Sequence, residues 1–149
     1  MSVKRALATG ITVLTGLGIS YVGLSYLLDP AATAPGFGLP DWPRGSDATG
    51  FLNVKGVRDL VSGLAVLTLL ATRQRRALGW LMLVESLTPL GDMLVVLNHH
   101  GSAATAFGVH GLTACAVATA GVLLLGEPHQ RRDRAGAAVA DRRSTAPAA

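Results

Sequence analysis

The chain opens with an uncharged, largely apolar run of 23 residues from Ala6 to Leu28. A bilayer hydrocarbon core about 30 Å thick needs about 20 helical residues, because an α-helix rises about 1.5 Å per residue. The run is therefore long enough to cross a membrane, and it lacks the polar face that surface helices of soluble domains carry. Backbone polar groups find no partners in lipid, so this run predicts a transmembrane helix and an all-α fold.

Three later segments resemble the first in length and composition, and together they predict a four-helix transmembrane bundle. Half of the 149 residues are hydrophobic and 15% are charged, whereas about a quarter are charged in soluble domains. The high hydrophobic fraction and low charged fraction exclude a fully disordered chain, and the single cysteine excludes a disulfide framework. The four predicted helices cover residues of about 6–28, 52–71, 77–97 and 103–125.

The basic residues predict the orientation of the bundle. Ten of the 13 lie before the first helix, between the second and third, and after the fourth: Lys4, Arg5, Arg73, Arg75, Arg76 and five arginines between positions 131 and 143. The other two connections carry one cation, Arg44. By the positive-inside rule we expect a multi-pass protein of the cell membrane with both termini cytoplasmic. The net charge of +4 and the pI near 10.0 then follow from topology, so no nucleic-acid partner is predicted.

The chain divides into two predicted regions. Residues 1–126 form the membrane domain, and residues 127–149 are predicted to be a disordered, basic cytoplasmic tail without apolar periodicity. The connection at residues 29–51 is rich in proline and glycine, with Phe37 and Trp42 among them. We expect this connection to turn repeatedly and to fold back over the outer end of the bundle.

All four predicted helices bring polar side chains to a similar depth in the outer half of the membrane. At 1.5 Å per residue, counting from the helix ends places those of the last three helices roughly 7–10 Å below the outer boundary. This coincidence of depth predicts one polar cluster inside the bundle. The predicted ligand-binding residues are Tyr21, Ser25, Lys55, Arg58, Asp59, Asp92 and His110.

Helical periodicity indicates which of these groups share a face. Lys55 and Asp59 are four residues apart and lie on one face of the second helix. Glu85 and Asp92 are seven residues apart and lie on one face of the third helix. Pro89 lies between them and predicts a kink, because proline removes a backbone hydrogen bond.

Three hypotheses of function follow from this cluster, because ionisable residues within a membrane are costly and usually functional. The leading one is a pocket that binds a small lipophilic molecule. The second is an acid–base enzyme, of the isomerase or cyclase type, on a hydrophobic substrate. In it, Asp92 or Glu85 would transfer the proton and His110 would relay it, while Arg58 would stabilise negative charge. The third is a non-catalytic partner subunit, in which ion pairs of Lys55 or Arg58 with the aspartates only hold the helices in register.

No cofactor and no metal site are predicted. His99, His100, His110 and Asp92 have no spacing that specifies a metal site. The chain also contains no phosphate-binding loop and no dinucleotide fingerprint. The expected partners are membrane lipids and the small lipophilic ligand, with a homo-oligomer or a further membrane protein as open alternatives.

Five short blocks in this order resemble the DUF4267 family of small four-span membrane proteins of bacteria and fungi, a family with no established general activity. The blocks are GLGISYVGLSYLLDP at 16–30, PGFG at 35–38, KGVRD at 55–59, PLGDM at 89–93 and VHG at 109–111. The resemblance runs from about residue 10 to 125 and excludes the tail. It implies that Lys55, Arg58, Asp59, Asp92 and His110 belong to the family pattern, without assigning them a reaction. The architecture is similar in outline to that of DoxX-like proteins, by analogy only.

Overall fold

A computed structural model describes residues 3–42 and 44–127, and every regular element in these ranges is helical, which confirms the predicted all-α class. The predicted tail lies almost entirely outside the described residues. The elements are α1 (Val3–Leu28), α2 (Pro30–Thr33), a 3-10 helix (Ala34–Phe37), α3 (Ser46–Ala71), α4 (Arg75–Glu85), α5 (Leu87–Asn98), α6 (Ala103–Thr105), a π-helical segment (Ala106–Gly111) and α7 (Leu112–Leu125).

Three of the helical stretches are long and apolar enough to cross a membrane. They are Val3–Leu28, the combined stretch Arg75–Asn98 and the combined stretch Ala103–Leu125. α3 has 26 residues and is long enough, but it is more polar because Lys55 and three further charged residues lie within it. The length and composition of the three stretches indicate a membrane-embedded protein.

The second and third predicted helices differ from the observed ones. α3 begins at Ser46, six residues before the predicted start at 52, and the carboxylate of Asp47 in its first turn suits the positive end of a helix. The third predicted helix is divided into α4 and α5, with the interruption at Ser86. Pro89 explains the interruption, because it has no N–H to bond the carbonyl of Glu85 four residues earlier.

Glycines allow α1 and α3 to pack with their backbones in close contact, and this is the most extensive helix pair in the bundle. A Cβ atom at Gly23 would lie 2.7 Å from the carbonyl oxygen of Gly56. A Cβ atom at Gly63 would strike the hydroxyl of Ser20 and lie 2.7 Å from the carbonyl oxygen of Gly16. These five residues form what we call the glycine seam, which fixes the separation of the two helices.

The tightly packed core lies at the end of the bundle where α1 begins and α7 ends. Its buried members are Ala8, Val66, Leu78, Met82, Val117, Ala120 and Leu124. At the same end, Arg75 of α4 donates hydrogen bonds to Glu127 at 2.6 Å and to Thr9 of α1 at 3.2 Å. Packing and this ion pair together tie α1, α4 and the end of α7.

The opposite end is covered by the segment that contains α2 and the 3-10 helix. Asp29 caps α2 by accepting a hydrogen bond from the backbone N–H of Ala32. Gly38 ends the 3-10 helix in the left-handed region, with φ of +97°, where a side chain would be strained. Its carbonyl oxygen accepts a hydrogen bond from the N–H of Ser102 at 2.8 Å, so the segment is attached to the start of the last long helical stretch.

Candidate functional site

A cavity of about 770 Å³ lies between the long helices, towards the end that this segment covers. Most of its wall surface is apolar. Its charged and imidazole side chains come from three different helical stretches and include Lys55, Asp59, Glu85, Asp92 and His110. The cavity is therefore an apolar space with a small set of polar groups, which is the usual composition of a small-molecule site.

The ammonium group of Lys55 is the centre of the polar part of the wall. Its Nζ lies 2.6 Å from a carboxylate oxygen of Asp59, one helical turn later. The same nitrogen lies 5.1 Å from the ring centre of Tyr26 and 5.5 Å from that of Phe37, both at cation–π distance. The charge of Lys55 is thus compensated by one carboxylate and by two aromatic rings.

His110 is buried, and the π-helical segment carries it. Its Nε2 lies 2.9 Å from the carbonyl oxygen of Phe37, and the two rings are 4.9 Å apart between centres. A carbonyl oxygen only accepts hydrogen bonds, so Nε2 carries a proton, and Nδ1 is an acceptor when the imidazole is neutral. Wide helical turns of this kind are frequent at functional sites. Here the turn accompanies a contact between residues that are 73 positions apart in the chain.

Asp92 and Glu85 line the cavity without a bonded partner. Neither forms a hydrogen bond or an ion pair within residues 3–42 and 44–127. Asp92 interacts electrostatically with Lys55 and His110, so it lies near the polar part of the wall. These two carboxyl groups are available to bind a ligand or to exchange a proton with one.

The structure brings six of the predicted site residues to this cavity. They are Tyr21, Lys55, Asp59, Glu85, Asp92 and His110. Tyr21 is 72% exposed, which places it at the mouth rather than in the interior. The face shared by Lys55 and Asp59 and the face shared by Glu85 and Asp92 both turn towards the cavity, as periodicity predicts.

Two predicted ligand-binding residues do not line the cavity, and we remove them from the candidate site. Arg58 is exposed on α3, because its position next to Asp59 rotates it by about 100° around the helix. Ser25 lies on α1, where its hydroxyl donates a hydrogen bond to the carbonyl oxygen of Tyr21 at 2.9 Å. Neither side chain is therefore placed to contact a molecule in the cavity.

Tyr26 and Phe37 belong to the wall although neither was among the predicted site residues. Tyr26 shares the predicted depth of Tyr21, but depth alone does not give the rotation of α1 about its axis. Phe37 lies in the covering segment. The proline and glycine residues around it predict that this segment folds back, but they do not predict which of its side chains reaches the cavity. In the described ranges, no three His, Cys, Asp or Glu side chains are grouped as a metal site.

Comparison with known proteins gives one match. A family described as a domain of unknown function, DUF4267, matches residues 16–124, which include every cavity residue discussed so far. No curated protein and no solved structure matches the chain.

Proposed function

The chain belongs to the DUF4267 family, and we propose that it is a multi-pass protein of the cell membrane that binds a small lipophilic molecule in its cavity. The observation that carries this proposal is the cavity itself, with its largely apolar wall and its few polar groups. Its volume of about 770 Å³ falls within the range of about 300–1,000 Å³ that is typical of ligand pockets.

We propose four membrane spans, which are the three apolar stretches and, in addition, α3. A helix of 26 residues is about 39 Å long, which exceeds the thickness of the hydrocarbon core. Of its three central charges, Lys55 and Asp59 neutralise each other inside the bundle. Arg58 has a long side chain that can extend to the headgroup region. Four spans agree with the distribution of arginine and lysine, which favours two cytoplasmic termini.

Access to the cavity from the lipid phase is part of the proposal. Leu14 and Tyr21 both line the cavity, and each is 72% exposed on the outer surface of α1. A cavity whose lining residues reach the lipid-facing surface has a lateral mouth. A lipophilic molecule dissolved in the membrane would therefore enter the cavity without passing through water.

Two glycines of α1 provide a matched test. A Cβ atom at Gly18 or at Gly10 would meet nothing within 4 Å, so a side chain at either position begins in open space, but only Gly18 lines the cavity. We would purify wild type, Gly18→Leu and Gly10→Leu from the host membrane in a mild non-ionic detergent and compare bound molecules by native mass spectrometry. A discrete small molecule should accompany wild type and Gly10→Leu but not Gly18→Leu. Bulk phospholipid alone, or a bound protein chain, in all three would contradict the proposal and favour a partner subunit.

One arrangement favours catalysis as the second candidate function. The carboxyl group of Asp92 and the Nδ1 atom of His110 belong to the same wall, and neither has a hydrogen-bond partner among the described residues. An acid and a base in one apolar cavity are the requirement for proton transfer on a hydrophobic substrate. Once the native ligand is identified, Asp92→Asn should abolish its conversion and leave binding measurable. Equal turnover by wild type and Asp92→Asn would exclude this role.

A further inference from the structure

The charges of the cavity wall do not balance. Its ionisable side chains include three carboxyl groups, on Asp59, Glu85 and Asp92, and one ammonium group, on Lys55. The ammonium group is already paired with Asp59 at 2.6 Å, and Arg58 lies outside the cavity. Among the described residues, the wall therefore has an excess of carboxyl groups, and apart from the imidazole of His110 it has no cationic group that is not already paired with a carboxylate.

The hydroxyl of Tyr26 is a second, independent indication of the ligand. Tyr26 is 3% exposed and lines the cavity, yet its hydroxyl has no hydrogen-bond partner among the described residues. Every fully buried side-chain nitrogen or oxygen in this part of the chain has a partner, so the hydroxyl must reach the open cavity. It lies within electrostatic range of both Asp59 and Asp92, and all three side chains line the same cavity.

Three hydrogen-bond acceptors thus converge on the polar part of the cavity. They are the carboxylate of Asp92, the hydroxyl oxygen of Tyr26 and Nδ1 of His110. A primary ammonium group has three N–H donors and a positive charge, and it would satisfy all three acceptors. A carboxylate or phosphate ligand would meet acceptors and like charge, and a simple hydrocarbon would leave these groups unsatisfied.

We infer that the ligand of this cavity is a lipophilic amine, whose ammonium group pairs with Asp92 while its hydrocarbon body lies against the apolar wall. This inference rests on the proposed function, because it assumes that the cavity is a binding pocket. An unpaired carboxylate at membrane depth is unfavourable, and the amine supplies the missing counter-ion. Lys55 then serves as the internal counter-ion of Asp59 and leaves Asp92 for the ligand.

Three probes with the same hydrocarbon chain and different head groups test this inference. Tritiated dodecylamine, dodecanol and dodecanoate would be titrated onto the full chain in nanodiscs of phosphatidylcholine. Nanodiscs that contain Gly18→Leu, in which the mouth is filled, provide the blank for partitioning into lipid. Wild type should bind dodecylamine about ten- to a hundredfold more tightly than dodecanol, because one charge-assisted hydrogen bond changes an affinity by about this factor. Dodecanoate should bind most weakly.

The variants separate the ammonium site from the cavity. Asp92→Asn should remove most of the preference for amine over alcohol, and because Asp92 has no bonded partner the change leaves no other group unpaired. Tyr26→Phe should weaken amine binding severalfold and more than it weakens dodecanol binding, which gives a second test if Asp92→Asn does not fold. Asp47→Asn, at an exposed carboxylate outside the cavity, should retain the full preference.

The outcomes distinguish this inference from the proposed function. Saturable binding of all three probes to wild type and not to Gly18→Leu, without preference for the amine, would overturn the inference and leave the pocket standing. Preferential binding of dodecanoate, or an amine preference that Asp92→Asn retains, would overturn it in the same way. No binding of any probe above the Gly18→Leu blank would overturn both.

Discussion

The ion pair of Lys55 and Asp59 leads to an asymmetric prediction about stability. The side chain of Asp59 is 9% exposed, whereas that of Lys55 is 29% exposed and also lies against two aromatic rings. Lys55→Met would leave a buried carboxylate without its partner, while Asp59→Asn would leave a more accessible ammonium group. We therefore expect Lys55→Met to be the more destabilising of the two substitutions.

The expected magnitude follows from the burial of the two partners. Removing one partner of a buried ion pair costs about 3–5 kcal/mol. Lys55→Met should therefore lower the free energy of unfolding by about 3–5 kcal/mol at pH 7, because the side chain of Asp59 is almost fully buried. Asp59→Asn should cost about 1–2 kcal/mol, because cation–π contacts and partial exposure remain.

Unfolding in mixed micelles of a non-ionic detergent and SDS, followed by circular dichroism, measures these differences. The double variant Lys55→Met, Asp59→Leu removes both charges and should lie close to wild type, since an apolar pair of similar volume replaces the ion pair. Two results would refute the reasoning. One is a loss below about 1 kcal/mol for Lys55→Met at pH 7. The other is a larger loss for Asp59→Asn than for Lys55→Met.

Three further predictions concern the frame around the site. Gly63→Ala should destabilise the protein by about 1–3 kcal/mol, because its Cβ would strike α1. Gly50→Ala is the control in the same helix: its Cβ would meet nothing within 4 Å, so it should stabilise the protein by about 0.5–1 kcal/mol. Equal unfolding midpoints of the two variants would contradict close packing at the glycine seam. His110→Phe should lower the free energy of unfolding by about 1–3 kcal/mol, because it leaves the carbonyl of Phe37 without a donor. His110→Gln should recover part of this loss. Identical melting temperatures of wild type and His110→Phe would contradict this prediction. Gly38→Ala should strain the turn at φ of +97° and speed proteolysis of the covering segment; an unchanged cleavage rate would contradict the role of that turn.

Sequence periodicity was sufficient to identify the helices and the faces that meet at the cavity. Lys55 and Asp59 share a face because they are one turn apart, and Asp92 was expected to face the interior because a charge in lipid needs a partner. The first inference depends only on spacing within one helix, and the second depends on the cost of an unpaired charge in lipid. The interruption near Ser86 could also be anticipated, since a proline three residues later removes a backbone donor.

The contacts that cross between elements could not be predicted in this way. The hydrogen bond from His110 to Phe37 joins residues that are 73 positions apart, and it depends on how a short segment folds back. The exclusion of Arg58 and the inclusion of Tyr26 depend on the rotation of α3 and α1 about their axes. That rotation is fixed by the glycine seam, whose partners are recognisable only when both helices are seen together.

The positions of the packed core and of the cavity have a consequence for how this family can diversify. Leu78, Met82 and Leu124 lie at one end of the bundle, and the polar groups of the cavity lie towards the other. Substitutions at wall residues that have no bonded partner among the described residues and lie outside the core, such as Asp92 and Glu85, therefore leave the contacts of this core intact. If the cavity binds a ligand as we propose, relatives with the same fold can change their ligand preference through a few substitutions at such positions, without first acquiring compensating mutations that restore folding.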